Sequence, residues 1–271
     1  MIRYFHVDAF AQQSFAGNPA GVCPLDAPLP AALMQQIAAE NSLAETAFFV
    51  PRAGQPAEFD LRWFTPTVEI DLCGHATLAA AHVLFTHLGF AGAQVTFHSQ
   101  SGPLRVAREA SGRLVLDFPS RPPQLLPELP AGLAAALGGT PHAALAARDL
   151  VAVFATAAEV AALQPDMAAI AAFDYVGIIA TAPGEGGIDF VSRFFAPRVG
   201  VPEDPVTGSA HSTLIPFWAG ELGKTELRAR QISPRGGDLW CRLRDGGRVD
   251  IGGYAVTYAA GELLVDPPQI C

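Results

Sequence analysis

Two short segments carry side chains that could hold a small anion and move a proton. Cys73-Gly74-His75-Ala76 and Thr207-Gly208-Ser209-Ala210 each open an apolar run with a glycine beside small or polar residues. Glycine lets a backbone approach a ligand closely. The first N–H groups of a helix lack internal acceptors, and the macrodipole adds positive charge there. Two such starts fit a carboxylate or an oxyanion. The competing reading is plain capping, with Thr207 or Ser209 serving its own helix. His75 at a positive helix end is expected to be a neutral imidazole, suited to hydrogen bonding or proton relay near neutral pH. Alternatively it is a buried histidine that only satisfies a carbonyl. His211, close to the second start, stays open. His82, His87, His98 and His142 have no comparable context and read as structural.

Two carboxylates stand out beside these starts. Glu203-Asp204-Pro205-Val206 runs directly into the second one. Asp204 either orients a substrate amine or hydroxyl or is a turn residue before proline. Glu45 directly precedes the apolar run Thr46–Val50. A carboxyl there is expected to be partly desolvated and suited to general acid/base work, against the alternative of a surface glutamate.

What must position these residues is a duplicated chain. Glu58-Phe59-x-x-Arg62-Trp63-Phe64-x-Pro66 is answered by Asp189-Phe190-x-x-Arg193-Phe194-Phe195-x-Pro197, 131 residues later. Gly74 through Gly89 then matches Gly208 through Gly223 at an offset of 134, and Gly102-x-Leu104 matches Gly237-x-Leu239 at 135. That period is too long for a solenoid, so each copy is a domain-sized unit, with one site expected at the seam between them. Aligned this way, Glu45 falls opposite Gly177 or Ile178, so the acid belongs to one copy only.

The stretches Ala47–Val50, Phe59–Phe64, Val95–His98, Leu104–Arg108 and Arg113–Phe118 read as strands. Leu29–Glu40 reads as an amphipathic helix. Gly74–Leu88 is apolar on nearly every face, so a helix there must be enclosed by protein; its counterpart, Ser209–Leu222, carries Pro216. Five prolines between Pro119 and Pro130 deny helix and central strand alike and mark a linker. The expected α+β fold is two pseudo-symmetric domains, each a curled, mostly antiparallel sheet around one central helix. They cover residues 1–118 and 131–271, joined by 119–130, with about the last ten residues able to pack back on the first half.

Bulk composition excludes several classes. Half of the 271 residues are hydrophobic and 16% are charged, so two cores can be built and disorder is not a candidate. Net charge is −9 with no basic run, which disfavours nucleic-acid binding. Cys23, Cys73, Cys241 and Cys271 show no metal-ligand or disulfide spacing, so no metal is expected. Neither a signal peptide nor a membrane span is expected, and the default is a reduced cytoplasmic protein.

Four motifs in order resemble the PhzF-like phenazine-biosynthesis family: Phe15-Ala16-Gly17-Asn18-Pro19-Ala20-Gly21-Val22, Asn41-Ser42-Leu43-Ala44-Glu45-Thr46, Asp71-Leu72-Cys73-Gly74-His75-Ala76-Thr77, and Glu203 through Ala210. The resemblance covers essentially the whole chain. It implies the diaminopimelate-epimerase fold, a site between two domains, a homodimer, and isomerisation of a small carboxylate without metal or organic cofactor. Founding members act on a dihydro-hydroxyanthranilate. By that resemblance Glu45 is the general acid/base, with His75 and Asp204 as its catalytic partners. Gly74, Ala76, Thr207, Gly208, Ser209 and Asn18 would bind substrate. Related epimerases use a cysteine at this helix start in each half, whereas here Cys73 is matched by Thr207, which cannot act as a base at neutral pH. The alternatives are an amino-acid racemase or epimerase using Cys73 and a non-catalytic small-acid-binding protein; Cys73 and His211 are the further candidate site residues. Ser233-Pro234-Arg235-Gly236-Gly237 departs from the family's commoner Gly-x-x-x-Gly-Arg pattern.

Overall fold

A computed structural model of the protein describes residues 1–265, which form two compact units: Met1–Asp117 together with the segment from Gly252, and Phe118–Ile251. The first unit holds β1 (Ile2–Ala9), β2 (Asn18–Pro24), α1 (Ala31–Asn41), β3 (Glu45–Arg52), β4 (Gln55–Phe64), β5 (Glu69–Ile70), α2 (Gly74–Thr86), β6 (Gln94–Ser99), β7 (Gly102–Arg108) and β8 (Leu114–Pro119). The second holds β9 (Gln124–Leu125), α3 (Leu133–Leu137), β10 (Ala143–Ala146), β11 (Leu150–Val153), α4 (Ala157–Ala162), α5 (Met167–Ala171), β12 (Ile178–Pro183), β13 (Phe190–Ala196), β14 (Val201–Asp204), α6 (Gly208–Leu222), β15 (Glu226–Gln231), β16 (Gly237–Arg244) and β17 (Arg248–Gly253).

Each unit repeats one pairing scheme. β2 runs parallel to β3, β3 antiparallel to β4, β4 parallel to β6 and β6 antiparallel to β7. β11, β12, β13, β15 and β16 repeat that order of parallel and antiparallel pairs. Most other pairs are antiparallel, as the sequence pattern suggested. The final described strand, β18 (Ala255–Leu263), pairs along the whole of β1, from Ile2 opposite Leu263 to Ala9 opposite Ala255. The second half is expected to run to residue 271 with about its last ten residues able to pack back on the first; the structure gives the first unit a longer segment, from Gly252 onward. Residues 266–271, with Cys271, lie outside the described residues.

The central helices are enclosed as their composition requires. In α2 every residue from Gly74 to Phe85 except His82 is buried, because no polar face exists to turn towards water. α6 tolerates Pro216 for an identifiable reason. Proline offers no N–H to the carbonyl four residues back, and that carbonyl, on Ser212, accepts the Arg121 backbone N–H at 2.9 Å instead. No helix among the described residues is long and apolar enough to cross a membrane.

Register also explains why only one copy carries the acid. Thr46 lies opposite Phe64 and Ile178 opposite Phe195, the matching aromatic, so Gly177 is the counterpart of Glu45. A Cβ added at Gly177 would fall 2.5 Å from the Phe194 ring and 2.8 Å from the Phe195 carbonyl oxygen. The second copy therefore has no room for a side chain there.

Asp149, just before β11, is buried with one carboxylate oxygen lacking any hydrogen bond. Burial raises its pKa from 3.8 to about 6, against the pull of Arg148, Arg121 and the Gly177 N–H. A carboxyl whose folded pKa is raised contributes stability below its unfolded pKa and loses it as pH rises through the folded value. Asp149→Asn, which mimics the protonated acid, should therefore stabilise the protein by up to about 3 kcal/mol above pH 6, with the gain vanishing below pH 4. Urea denaturation of both proteins across that window checks it; a pH-independent difference would contradict it.

Candidate active site

Asn18 and Glu45 are the first residues of β2 and β3, a parallel pair in which Ala20 lies opposite Glu45. Parallel neighbours begin at the same end of a sheet, so both side chains arrive at one place. The turn into β2 needs glycine: Gly17 has φ +67°, and a Cβ there would sit 2.1 Å from the Ala9 carbonyl oxygen. Just upstream, the Asp8 carboxylate accepts the Phe15 N–H at 2.9 Å and fixes the loop that leads to Asn18.

The start of α2 meets these two strand ends. His75 is 4% exposed, with Nε2 3.0 Å from Glu45 Oε2 and Nδ1 3.1 Å from Asn18 Nδ2. The carboxylate lies off the line of the ring N–H, so the contact with Glu45 is a close ion pair and not an aligned hydrogen bond. Glu45 is itself buried, which overturns the surface reading. Asn18, expected to bind substrate, has its amide nitrogen turned onto His75. With a neutral ring, Nδ1 accepts from that amide and Nε2–H faces Glu45; with a charged ring, a half-turn of the amide would offer its oxygen to Nδ1–H.

The expectation of a neutral His75 is corrected. Burial is the largest single influence and does lower its pKa, but the Cys73 sulfur and the Glu45 carboxylate act in the opposite direction and prevail, holding it well above 6.5. The sequence showed the helix end but not the buried carboxylate that cancels its effect. For Cys73, burial first and the Glu45 charge second raise the pKa to about 11, although His75 and the Ala76 N–H oppose them. The pKa-lowering influence of a helix start is outweighed by burial.

Glu45, Cys73 and His75 each offer one ligand atom within 4.8 Å of the others, a grouping that linear spacing could not reveal. His75 presents Nδ1 to the sulfur, at 3.6 Å, and Nε2 to the carboxylate. The N–H groups of Gly74 and His75 find no protein acceptor among the described residues, leaving the helix end open to an anion.

The second helix start is organised differently. Thr207 is the residue before α6, yet its hydroxyl does not cap the helix; it donates to Asp204 Oδ2. Its backbone N–H goes to Gln231 Oε1 at 2.8 Å. Asp204 is buried, whereas Glu203 is bound in a bidentate ion pair by Arg193, at 2.8 and 2.9 Å. Of the acidic pair, then, Glu203 is committed to the fold. Ser209 is half-buried and makes no side-chain hydrogen bond among the described residues, and the Gly208 and Ser209 N–H groups likewise have no acceptor. His211 is wholly buried: Nδ1 donates to the Thr207 carbonyl at 2.7 Å, the ring packs on Phe190, and burial lowers its pKa to about 4. It reads as structural. Gln231 is the residue sequence reasoning missed, because its role depends on contacts 24 and 27 positions away.

A family model described as phenazine biosynthesis-like protein (PhzC-PhzF) matches residues 7–261. An uncharacterized isomerase of Pseudomonas aeruginosa is 52% identical over 263 residues, covering 97% of this chain and 98% of that protein. A crystal structure of a PhzF-family phenazine biosynthesis protein from Enterococcus faecalis superposes with a TM-score of 0.93 at 48% identity, over 98% of this chain and all of that one. A probable proline racemase from Agrobacterium radiobacter shares the fold, with a TM-score of 0.66 at 13% identity over 99% of this chain and 94% of its own.

Proposed function

The chain belongs to the phenazine biosynthesis-like family, and from that premise we propose that it is an isomerase that moves a proton within a small carboxylated substrate, with Glu45 as the general acid/base. The observation that carries this reading is the buried Glu45–His75 pair at 3.0 Å, beside a helix start whose Gly74 and His75 N–H groups are free to take an anion. The substrate carboxylate would lie on those N–H groups. The Glu45 carboxylate removes a proton from carbon and returns it to another carbon. His75 orients the Glu45 carboxylate, which itself carries the proton while the substrate is an enolate or dienolate. Asn18 fixes the imidazole plane. Asp204 accepts a hydrogen bond from a substrate amine or hydroxyl. The step needs neither metal nor organic cofactor.

Support for carboxylate over sulfur comes from Cys73, a thiol with its pKa near 11, whose partner position is Thr207. Cys73→Ser should change turnover by less than about tenfold, against the roughly 10²–10⁴-fold expected for a lost general base. A loss of the larger size would favour a cysteine racemase.

The reading is tested by screening cyclic and aromatic carboxylates for thermal stabilisation, then incubating each hit with the protein in ²H₂O. Exchange at a carbon of a bound carboxylate supports an isomerase. Stabilisation without exchange across the whole set would instead mark a small-acid-binding protein.

A further inference from the structure

The side chain of Gln231, the last residue of β15, is fully buried and uses every hydrogen-bonding group of its amide except one lone pair on a single turn. Oε1 accepts the Thr207 N–H at 2.8 Å, while Nε2 donates to the Asp204 carbonyl at 2.6 Å and to Thr207 Oγ1 at 3.2 Å. The orientation of the amide is set by these neighbours, since the reversed amide would face N–H to N–H and oxygen to oxygen. A direction follows for the whole chain of contacts. Because Thr207 Oγ1 receives a hydrogen from Gln231, its own hydrogen goes to Asp204 Oδ2. Ser233 adds a second tie, donating from Oγ to the Pro205 carbonyl at 2.7 Å. The first copy has nothing of the kind. Its register partner of Gln231 is Ser99, opposite Gly102 as Gln231 is opposite Gly237, and the Ser99 hydroxyl bonds only within its own hairpin, donating to the Gly102 carbonyl and accepting the Ser101 N–H.

We propose that Gln231 is a positioning residue that sets the Asp204–Thr207 turn, and with it the direction in which the Asp204 carboxylate meets the amine or hydroxyl of a ligand. It touches no ligand itself and acts through Asp204. The clamp also consumes the Thr207 N–H, so the open N–H groups of this helix start are those that follow, on Gly208 and Ser209. Buried networks of this type are costly when one member is removed, since the remaining groups lose partners without regaining water. This proposal rests on the reading that Asp204 accepts from a ligand amine.

Two probes separate the roles: anthranilate, which carries a carboxylate and an amine, and benzoate, which carries the carboxylate alone. Calorimetric binding to the wild-type protein should favour anthranilate by roughly tenfold, the worth of one charge-assisted hydrogen bond. Asp204→Asn should abolish that preference with benzoate affinity little changed. Gln231→Leu should abolish it too. Gln231→Glu, which keeps the size and the acceptor for Thr207 N–H but removes both donors, should do the same if the leucine variant fails to fold. Loss of both affinities in equal measure in the Gln231 variants would show a merely structural role and overturn the proposal. So would an unchanged preference in them beside a lost one in Asp204→Asn, which leaves the Asp204 reading standing. If the wild-type protein shows no preference, or Asp204→Asn retains it, the Asp204 reading falls and takes this proposal with it.

Discussion

Replacing Glu45 by glutamine should lower turnover by roughly 10²–10⁴-fold while leaving affinity for a carboxylate ligand within a few-fold of wild type. The asymmetry follows from where the parts come from. Anion binding is assigned to backbone N–H groups at Gly74 and His75, which a side-chain amide at position 45 does not disturb. Proton transfer is assigned to the carboxylate alone. A residue acting only in the transition state lowers kcat and kcat/KM together, so steady-state kinetics on any ligand found to react distinguishes this from a general loss of fold. A companion change should accompany it. Without the Glu45 charge, part of the upward pull on His75 is gone and burial, already the largest influence, gains ground. The His75 pKa should therefore fall in the variant, as NMR titration of its ring protons would read. An unchanged kcat would remove Glu45 from the chemistry.

The second large effect concerns Arg193. Its guanidinium binds Glu203 through two hydrogen bonds and reaches the Val160 and Leu163 carbonyls at 3.3 and 3.1 Å, with a side chain only 11% exposed. Arg193→Met should cost about 3–5 kcal/mol, because Glu203 is left as an unpaired and largely buried charge. The duplication supplies an internal control. Arg62 occupies the matching place and binds Glu69 with the same bidentate geometry, at 2.7 and 2.7 Å, but its side chain is 38% exposed. Water screens that pair, so Arg62→Met should cost only about 1 kcal/mol. Equilibrium denaturation of the two variants gives the difference directly; equal costs would show that burial is not what separates the copies.

Much of the molecule is legible in the sequence. The β-rich stretches, the enclosed helix at Gly74 and the one-sidedness of Glu45 all follow from local pattern and from comparing one copy with the other. Those are properties of sequence order, which is why they could be read. What could not be read depends on groups that meet only after folding. Spacing gave Cys73 and His75 a shared helix start but hid the carboxylate facing His75, so its protonation was misjudged. The amide of Asn18 turns onto His75 because two parallel strands begin side by side, a fact of register. Glu203 and Asp204 are adjacent in sequence yet divided in role by Arg193, ten positions away on a neighbouring strand. A return of about the last ten residues to the first half is expected from the sequence, but that β18 starts at Ala255 and pairs along the whole of β1 is a matter of register.

The central claim is that the proton travels on the Glu45 carboxylate and not on the Cys73 sulfur. The measurement that decides it is deuterium uptake from ²H₂O into a bound carboxylate, followed by NMR for wild type, Glu45→Gln and Cys73→Ser in parallel. Uptake in wild type and Cys73→Ser, with none in Glu45→Gln, is the expected result. Persistent uptake in Glu45→Gln, or its loss in Cys73→Ser, would contradict the assignment.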